Sequence, residues 1–362
     1  MTHHVVLIPG FFGFVNLGDL TYFTHVRTHI TAWAQTRGLD VVVHRPKTPP
    51  TASIAVRARV LYDLIENEIP VDDGPIHLIG HSAGGLDARW LTSPVAVIEG
   101  ADNLNAVASR IKTVVCVSTP HRGTPIATLF SSVMGGKLLR LLSIISTITL
   151  HGGDLPLSLV TSMIRAFKND DQSALGDVDE NMYSTLDASL TEGLKAFVKE
   201  IGVDQRLVEE LSTGRSIERD FLLRDRDGIR YASVATVGQR PGLRTTLRQG
   251  VRPDHHASHA LYTAAWSVAA TTDLQPPNGS VDASGSNIES IDNDGIVPTA
   301  SQLRGHVITT MHGDHLDVLG HYSGRDATPR HYDWLRSGSQ CDLERFSKTW
   351  DRIWEFVFPR DE

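Results

Sequence analysis

Gly80-His81-Ser82-Ala83-Gly84 fits the pattern G-x-S-x-G. A serine on a sharp turn between a strand and a helix exposes its hydroxyl, and the flanking glycines remove side chains that would collide with the adjoining elements. The backbone N–H after the serine and the N-terminus of the helix can then stabilise an oxyanion. Glycine-rich turns without chemistry match the same pattern by chance, so context decides. Here the run Ile76 to Ile79 predicts a strand before the serine, and Ala83 to Leu91 predicts a helix after it.

A serine at its ordinary pKa is a weak nucleophile. It needs a base, and the base needs an orienting carboxylate. Both are expected downstream, on loops after later strands, with the acid before the histidine. Asp292-Asn293-Asp294-Gly295-Ile296-Val297-Pro298 offers the acid, Met311-His312-Gly313-Asp314-His315-Leu316-Asp317 offers the base, and the strand-like run His306 to Thr310 lies between them. The order favours Asp294 and His315, with Asp292 and His312 as rivals. Ahead of all of these, Ile8-Pro9-Gly10-Phe11-Phe12-Gly13-Phe14 permits a glycine turn after the first strand. The backbone N–H groups of Phe11 and Ala83 would form the oxyanion hole, a plain turn being the alternative for that loop.

The elements that must position these residues follow from periodicity. Val5 to Ile8, Leu39 to His44, Ile76 to Ile79 and Val114 to Val117 read as strands, separated by helical patterns over Leu20 to Ala34, Ala52 to Ile69 and Ala83 to Leu91. Such alternation implies parallel strands joined by right-handed crossovers. From Thr124 to Asp227 the strand pattern stops and helical periodicity takes over, so residues 125–228 read as an inserted helical cap on a core made of 1–124 and 229–362. Strand patterning resumes at Ile229 to Ala235 and His306 to Thr310. Residues 275–293 read as a long loop, and Leu343 to Phe358 as a closing amphipathic helix.

Composition narrows the partners. Lys and Arg total 34 against 42 Asp and Glu, a net charge of -8, opposite to the basic footprint that nucleic-acid binding requires. Two cysteines, Cys116 and Cys341, exclude a disulfide-dense scaffold and suit a reducing compartment. No basic segment, apolar run and cleavage site precede the first strand, so a cytoplasmic location is expected. The most apolar stretch, Leu138 to Leu150, spans 13 residues including Arg140, short of the roughly 20 needed to cross a bilayer.

Taken together, the PGFFGF loop, the GHSAGG turn, Ser118-Thr119-Pro120-His121-Arg122-Gly123-Thr124, NDGIVP and HLD resemble the bacterial true-lipase family of α/β-hydrolases. The resemblance implies an α/β-hydrolase fold, a mostly parallel central sheet with helices on both faces and an inserted helical lid. It implies Ser82, Asp294 and His315 as the triad of a carboxylic ester hydrolase working through an acyl-enzyme, with a small-molecule or lipid ester as substrate. The same triad could serve acyl transfer or small esters, and a lipid-binding protein without catalysis is a reading from another class. The chain departs from the family where Pro9 replaces the usual histidine before the loop glycine, and in lacking a secretion signal and the cysteine bridge of secreted relatives.

The resemblance also implies a structural calcium at Asp273 and Asp317, with no cofactor needed for the chemistry, although His321 lies where the family has an oxygen ligand. His255 and His259, spaced to share a helical face, could bind a transition metal, or could simply be hydrogen-bonded at a helix start. Leu138, Leu141, Leu142, Ile145 and Ile148 form an apolar stripe, either an ordinary buried helix or a lid able to touch a lipid interface transiently.

Overall fold

Along β1 (Thr2–Ile8) the side chains alternate between two apolar layers. Val5 and Leu7 join a cluster with Trp33, Trp350 and Trp354, while Val6 and Ile8 join another with Leu61, Ile65 and Leu91. A strand covered on both faces behaves in this way. The computed structural model describes residues 1–11, 22–71, 73–130, 204–323, 333 and 335–359. Among these, β1, β2 (Asp40–His44), β3 (Ile76–His81), β4 (Ile111–Val117), β5 (Arg230–Val237) and β6 (Val307–His312) form one parallel sheet in the order β2-β1-β3-β4-β5-β6. The chain first runs outward from β1 to β2, then returns to lay β3 on the other side of β1. The carboxyl ends of β1 and β3 therefore flank a topological switch point, where open α/β sheets bind ligands. Gly80 stands opposite Ile8 in this pair, so the serine turn and the Pro9-Gly10 loop leave the sheet side by side.

α1 (Thr24–Gln35) and α11 (Leu343–Val357) cover one face, and α2 (Ile54–Glu68), α3 (Ala83–Thr92) and α4 (Leu104–Ser109) the other. α11 starts where the Asp342 carboxylate accepts from the Arg345 N–H at 2.9 Å, a side-chain N-cap. Its fully buried Trp350 and Trp354 keep their indole N–H groups bonded, to the Val318 carbonyl at 2.7 Å and to His29 Nδ1 at 3.2 Å. The periodicity of Leu343 to Phe358 had indicated this helix, but α4 is only six residues long and too short to show a helical period. β6 runs one residue later at its start and two later at its end than the run His306 to Thr310 suggested, which places His312 in the strand and not on the loop.

α5 (Pro125–Phe130), α6 (Arg206–Glu210) and α7 (Thr213–Leu222) follow β4. Of the expected insertion, residues 131–203 and with them the Leu138 stripe lie outside the described residues. α7 is tied to the core by a charge network. Arg89 Nη1 lies 2.7 Å from Asp220, and Arg304 lies 2.9 Å from both Asp220 and Asp225. α8 (Leu243–Leu247), α9 (Pro253–Ala269) and α10 (Thr299–Gln302) lie between β5 and β6, and a 3-10 turn (Asp317–Leu319) follows β6. Cys116 and Cys341 are buried free thiols, and no helix among the described residues is long and apolar enough to cross a membrane.

Candidate active site

Ser82 joins the end of β3 to the start of α3 with φ 54° and ψ -129°, a conformation that L-residues rarely adopt. Its N–H donates to the Val117 carbonyl at 2.8 Å, and its own carbonyl accepts from the Gly85 N–H at 3.1 Å. Sterics explain the glycines beside it. A Cβ on Gly80 would stand 2.4 Å from the Gly84 carbonyl carbon, and one on Gly84 would stand 2.3 Å from the Ile8 carbonyl oxygen. The backbone at Ser82 is held by its surroundings at a cost of about 1–3 kcal/mol. Ser82→Gly should therefore be more stable than Ser82→Ala by about 1 kcal/mol, even after the greater unfolded-state entropy of glycine. Equal melting temperatures for the two would show that the turn stores no strain.

Asp294 and His315 meet as the sequence order required. His315 Nδ1 lies 2.8 Å from Asp294 Oδ2, and both residues are buried, at 5% and 0% exposure. The backbone repeats the link, the His315 N–H donating to the Asp294 carbonyl at 3.0 Å. The carboxylate is saturated with donors. Oδ1 accepts from the N–H groups of Ile296 at 3.0 Å and Val297 at 2.7 Å, and Oδ2 also accepts from the Thr236 hydroxyl at 2.7 Å and from Gln302 Nε2 at 3.0 Å. A carboxylate so held keeps His315 in the tautomer with the proton on Nδ1, leaving Nε2 as the acceptor. Ser82 and His315 line one cavity with apolar walls that include Phe11, Ile126, Val208, Leu211, Ile296 and Val297. It measures about 40 Å³, room for a few water-sized groups.

A second set of bonds holds Pro9 and Gly10 just after β1. The Gly10 N–H donates to Tyr22 Oη at 3.1 Å, Tyr22 Oη lies 2.6 Å from His81 Nδ1, and His81 Nε2 lies 2.9 Å from the His315 carbonyl. Burial pushes the His81 pKa well below its ordinary value, and the neighbouring His315 adds to the shift. A neutral His81 allows one proton arrangement: Gly10 N–H to Tyr22, Tyr22 O–H to Nδ1, and Nε2–H to the His315 carbonyl. On the opposite side of the loop the fully buried Arg57 donates to the Pro9 carbonyl at 2.7 Å, to the Pro49 carbonyl at 2.6 Å and to both carboxylate oxygens of Asp87. The Pro9–Gly10 peptide is thus held at its carbonyl and at its N–H. Phe11 follows directly, and Ala83 is the first residue of α3, where N–H groups lack intrahelical partners. Thr236, Tyr22 and Arg57 carry no local signature in sequence, because they act on Asp294, His81 and Pro9, each more than forty residues away, and Gln302, eight residues from Asp294, belongs to no recognisable motif.

The rivals lie elsewhere. The Asp292 carboxylate pairs with Arg240 at 2.8 Å, and His312 ends β6 with its pKa lowered by burial and by Arg345. The aspartates tied to calcium by resemblance have unlike surroundings. Asp273 is exposed just after α9, whereas Asp317 is buried and accepts from the Ser339 hydroxyl at 2.7 Å and the Asp314 N–H at 2.9 Å. Burial pushes both the Asp317 and the Asp314 pKa up, and repulsion from Asp314 adds to the shift at Asp317. His321 is buried, with Nε2 3.4 Å from the Tyr22 carbonyl. His255 Nδ1 and His259 Nδ1 face different carbonyls, of Gln249 at 3.3 Å and Arg336 at 2.8 Å. Among the described residues no three His, Cys, Asp or Glu side chains converge to hold a metal ion.

The parallel sheet, the serine turn between β3 and α3, and the acid and histidine on the loops flanking β6 make this an α/β-hydrolase fold. Solved structures share it. A metagenomic carboxyl esterase is 17% identical with a TM-score of 0.50, over 98% of this chain and 75% of that one. EstA from Clostridium botulinum is 18% identical with a TM-score of 0.52, over 95% and 87%. Lipase 1 from Pelosinus fermentans is 15% identical with a TM-score of 0.50, over 93% and 97%. At these identities the likeness is one of fold. No family model and no curated protein sequence matches the chain.

Proposed function

We propose that the protein is a serine carboxylic ester hydrolase that works through an acyl-enzyme on Ser82. The observation that carries this reading is the 2.8 Å contact of His315 Nδ1 with Asp294, with His315 lining the same cavity as the strained Ser82. His315 Nε2 takes the Ser82 proton as the hydroxyl oxygen attacks the ester carbonyl. The backbone N–H groups of Phe11 and Ala83 hold the oxyanion, and His315 returns the proton to the leaving alcohol. Water, activated by the same histidine, then releases the acid. Acyl transfer differs only in that an alcohol replaces water in the last step.

The apolar cavity walls suit the acyl side of an ester. Rates on p-nitrophenyl esters should rise from acetate to octanoate, and a fluorophosphonate probe should label Ser82. Fastest turnover of acetate would make the protein a small-ester esterase, and absence of labelling would remove the serine mechanism altogether.

Tyr22 and His81 act in this scheme as positioning residues for the oxyanion loop and the base. Tyr22→Phe deletes the acceptor of the Gly10 N–H and the donor to His81. It should lower kcat about tenfold while leaving KM within about twofold, because a misaimed oxyanion donor weakens the transition state more than the bound ester. A rise in KM at constant kcat would place Tyr22 in substrate binding instead.

A further inference from the structure

The segment joining β5 to α9 is folded with its polar side inward. Between Gly238 and Pro253 the chain carries four arginines, Arg240, Arg244, Arg248 and Arg252, and no carboxylate, although its net charge is -8. α8 buries Thr245, and Gln249, one turn later, is buried beside it and donates to the Thr245 carbonyl at 2.9 Å. The other side faces out, with Leu243 76% and Leu247 69% exposed, and past the left-handed Gly250 the side chain of Val251 is 96% exposed. Residues four apart on a helix differ by about 40°, whereas residue 245 lies about 200° round from residue 243. An amphipathic helix ordinarily turns its leucines to the core. Rolling it over would expose the buried Thr245 and Gln249 and break the bond from Arg248 to the Gly338 carbonyl at 2.9 Å.

Its place is as telling as its orientation. The Gly238 N–H donates to the Asn293 carbonyl at 2.9 Å and Arg240 pairs with Asp292 at 2.8 Å, so the segment adjoins the Asp294 loop. It leaves the sheet at the carboxyl end of β5, the edge on which Ser82 and His315 lie.

We propose that this segment docks the protein on an anionic lipid surface, with Leu243, Leu247 and Val251 entering the acyl boundary and the exposed arginines 244, 248 and 252 meeting headgroup phosphates. Apolar side chains flanked by cations match the two layers of such an interface. A second copy of the same patch would set arginine against arginine, which argues against self-association. The proposal rests on the ester-hydrolase reading only for its purpose, which is to bring the active-site edge to an ester-bearing surface.

The test is cosedimentation of the full chain with vesicles of phosphatidylcholine alone or with about one-third phosphatidylglycerol. The protein should bind the anionic vesicles at least tenfold more tightly, and about 0.5 M salt should remove most of that preference. Arg244→Gln should cut the preference for anionic vesicles at least threefold, and Leu243→Ser with Leu247→Ser should weaken binding at least tenfold. Both variants should leave the melting temperature and p-nitrophenyl acetate hydrolysis unchanged. Equal binding to the two vesicles, variants that bind like the parent, or a dimer in solution that the serine variants dissociate would each overturn the proposal. Fluorophosphonate labelling reads the other hypothesis separately. Labelled protein that ignores vesicles refutes the docking surface alone, and unlabelled protein that binds them refutes the hydrolase reading alone.

Discussion

Ser82→Ala should lower ester hydrolysis on the order of 10³-fold or more with the fold intact, since the alanine keeps the turn and loses only the attacking oxygen. His315→Ala should cost a similar factor, because an unassisted serine is a poor nucleophile and the members of a triad fail as a unit. His312→Ala should change the rate less than about threefold, since nothing links that ring to Asp294. Steady-state rates on a p-nitrophenyl ester, with circular dichroism of each variant, check the ranking. Near-parental activity of Ser82→Ala removes Ser82 from the mechanism, and a His312 variant worse than the His315 variant reverses the choice of base.

Arg57→Met should destabilise the protein by about 3–5 kcal/mol, the usual cost of stranding one member of a buried ion pair. Both Arg57 and Asp87 are fully buried, and the Asp87 pKa is pushed up to about 6 by burial against the opposing pull of Arg57. Without Arg57 the carboxyl has no counter-charge, and its folded pKa rises further above the unfolded value of about 3.9. Between those two values the folded state binds the extra proton, so stability falls as pH rises through the window. The deficit of Arg57→Met should therefore shrink as the pH is lowered from about 8 to about 5. Arg57→Met with Asp87→Leu, which removes both charges, should recover much of the loss. Denaturant unfolding at the two pH values reads all of this. A deficit that grows on acidification would show that Asp87 is not the stranded group. Loss of activity beyond loss of stability is also expected, since Arg57 holds the Pro9 carbonyl next to Gly10 and Phe11.

How far the site could be read in advance differs from residue to residue. Ser82 was legible because strand, turn and helix occupy a single short window, in which Gly80 and Gly84 are dictated by contacts only a few residues away or on the adjacent strand. Asp294 and His315 were favoured by their order in the chain and by the resemblance, and the rivals are set apart in three dimensions, where Arg240 pairs with Asp292 and His312 ends β6. The calcium pair came from the resemblance, and the fold gives Asp273 and Asp317 unlike surroundings.

The periods of two and 3.6 and the glycines of the serine turn are properties of neighbouring residues, and they sufficed to indicate a parallel α/β sheet with a candidate nucleophile at a strand end. The supports of Ser82 and its partners are another matter. Thr236 under Asp294, the Tyr22 and His81 bridge from Gly10 to His315, and the Arg57 grip on Pro9 join groups that are distant in the chain, 234 residues apart for His81 and His315. The outward leucines of α8 depend on tertiary contacts as well, since Arg248 is bonded to the Gly338 carbonyl 90 residues away while Thr245 and Gln249 are buried. Periodicity states that a helix has an apolar side, and only its packing partners decide whether that side meets the core or the solvent.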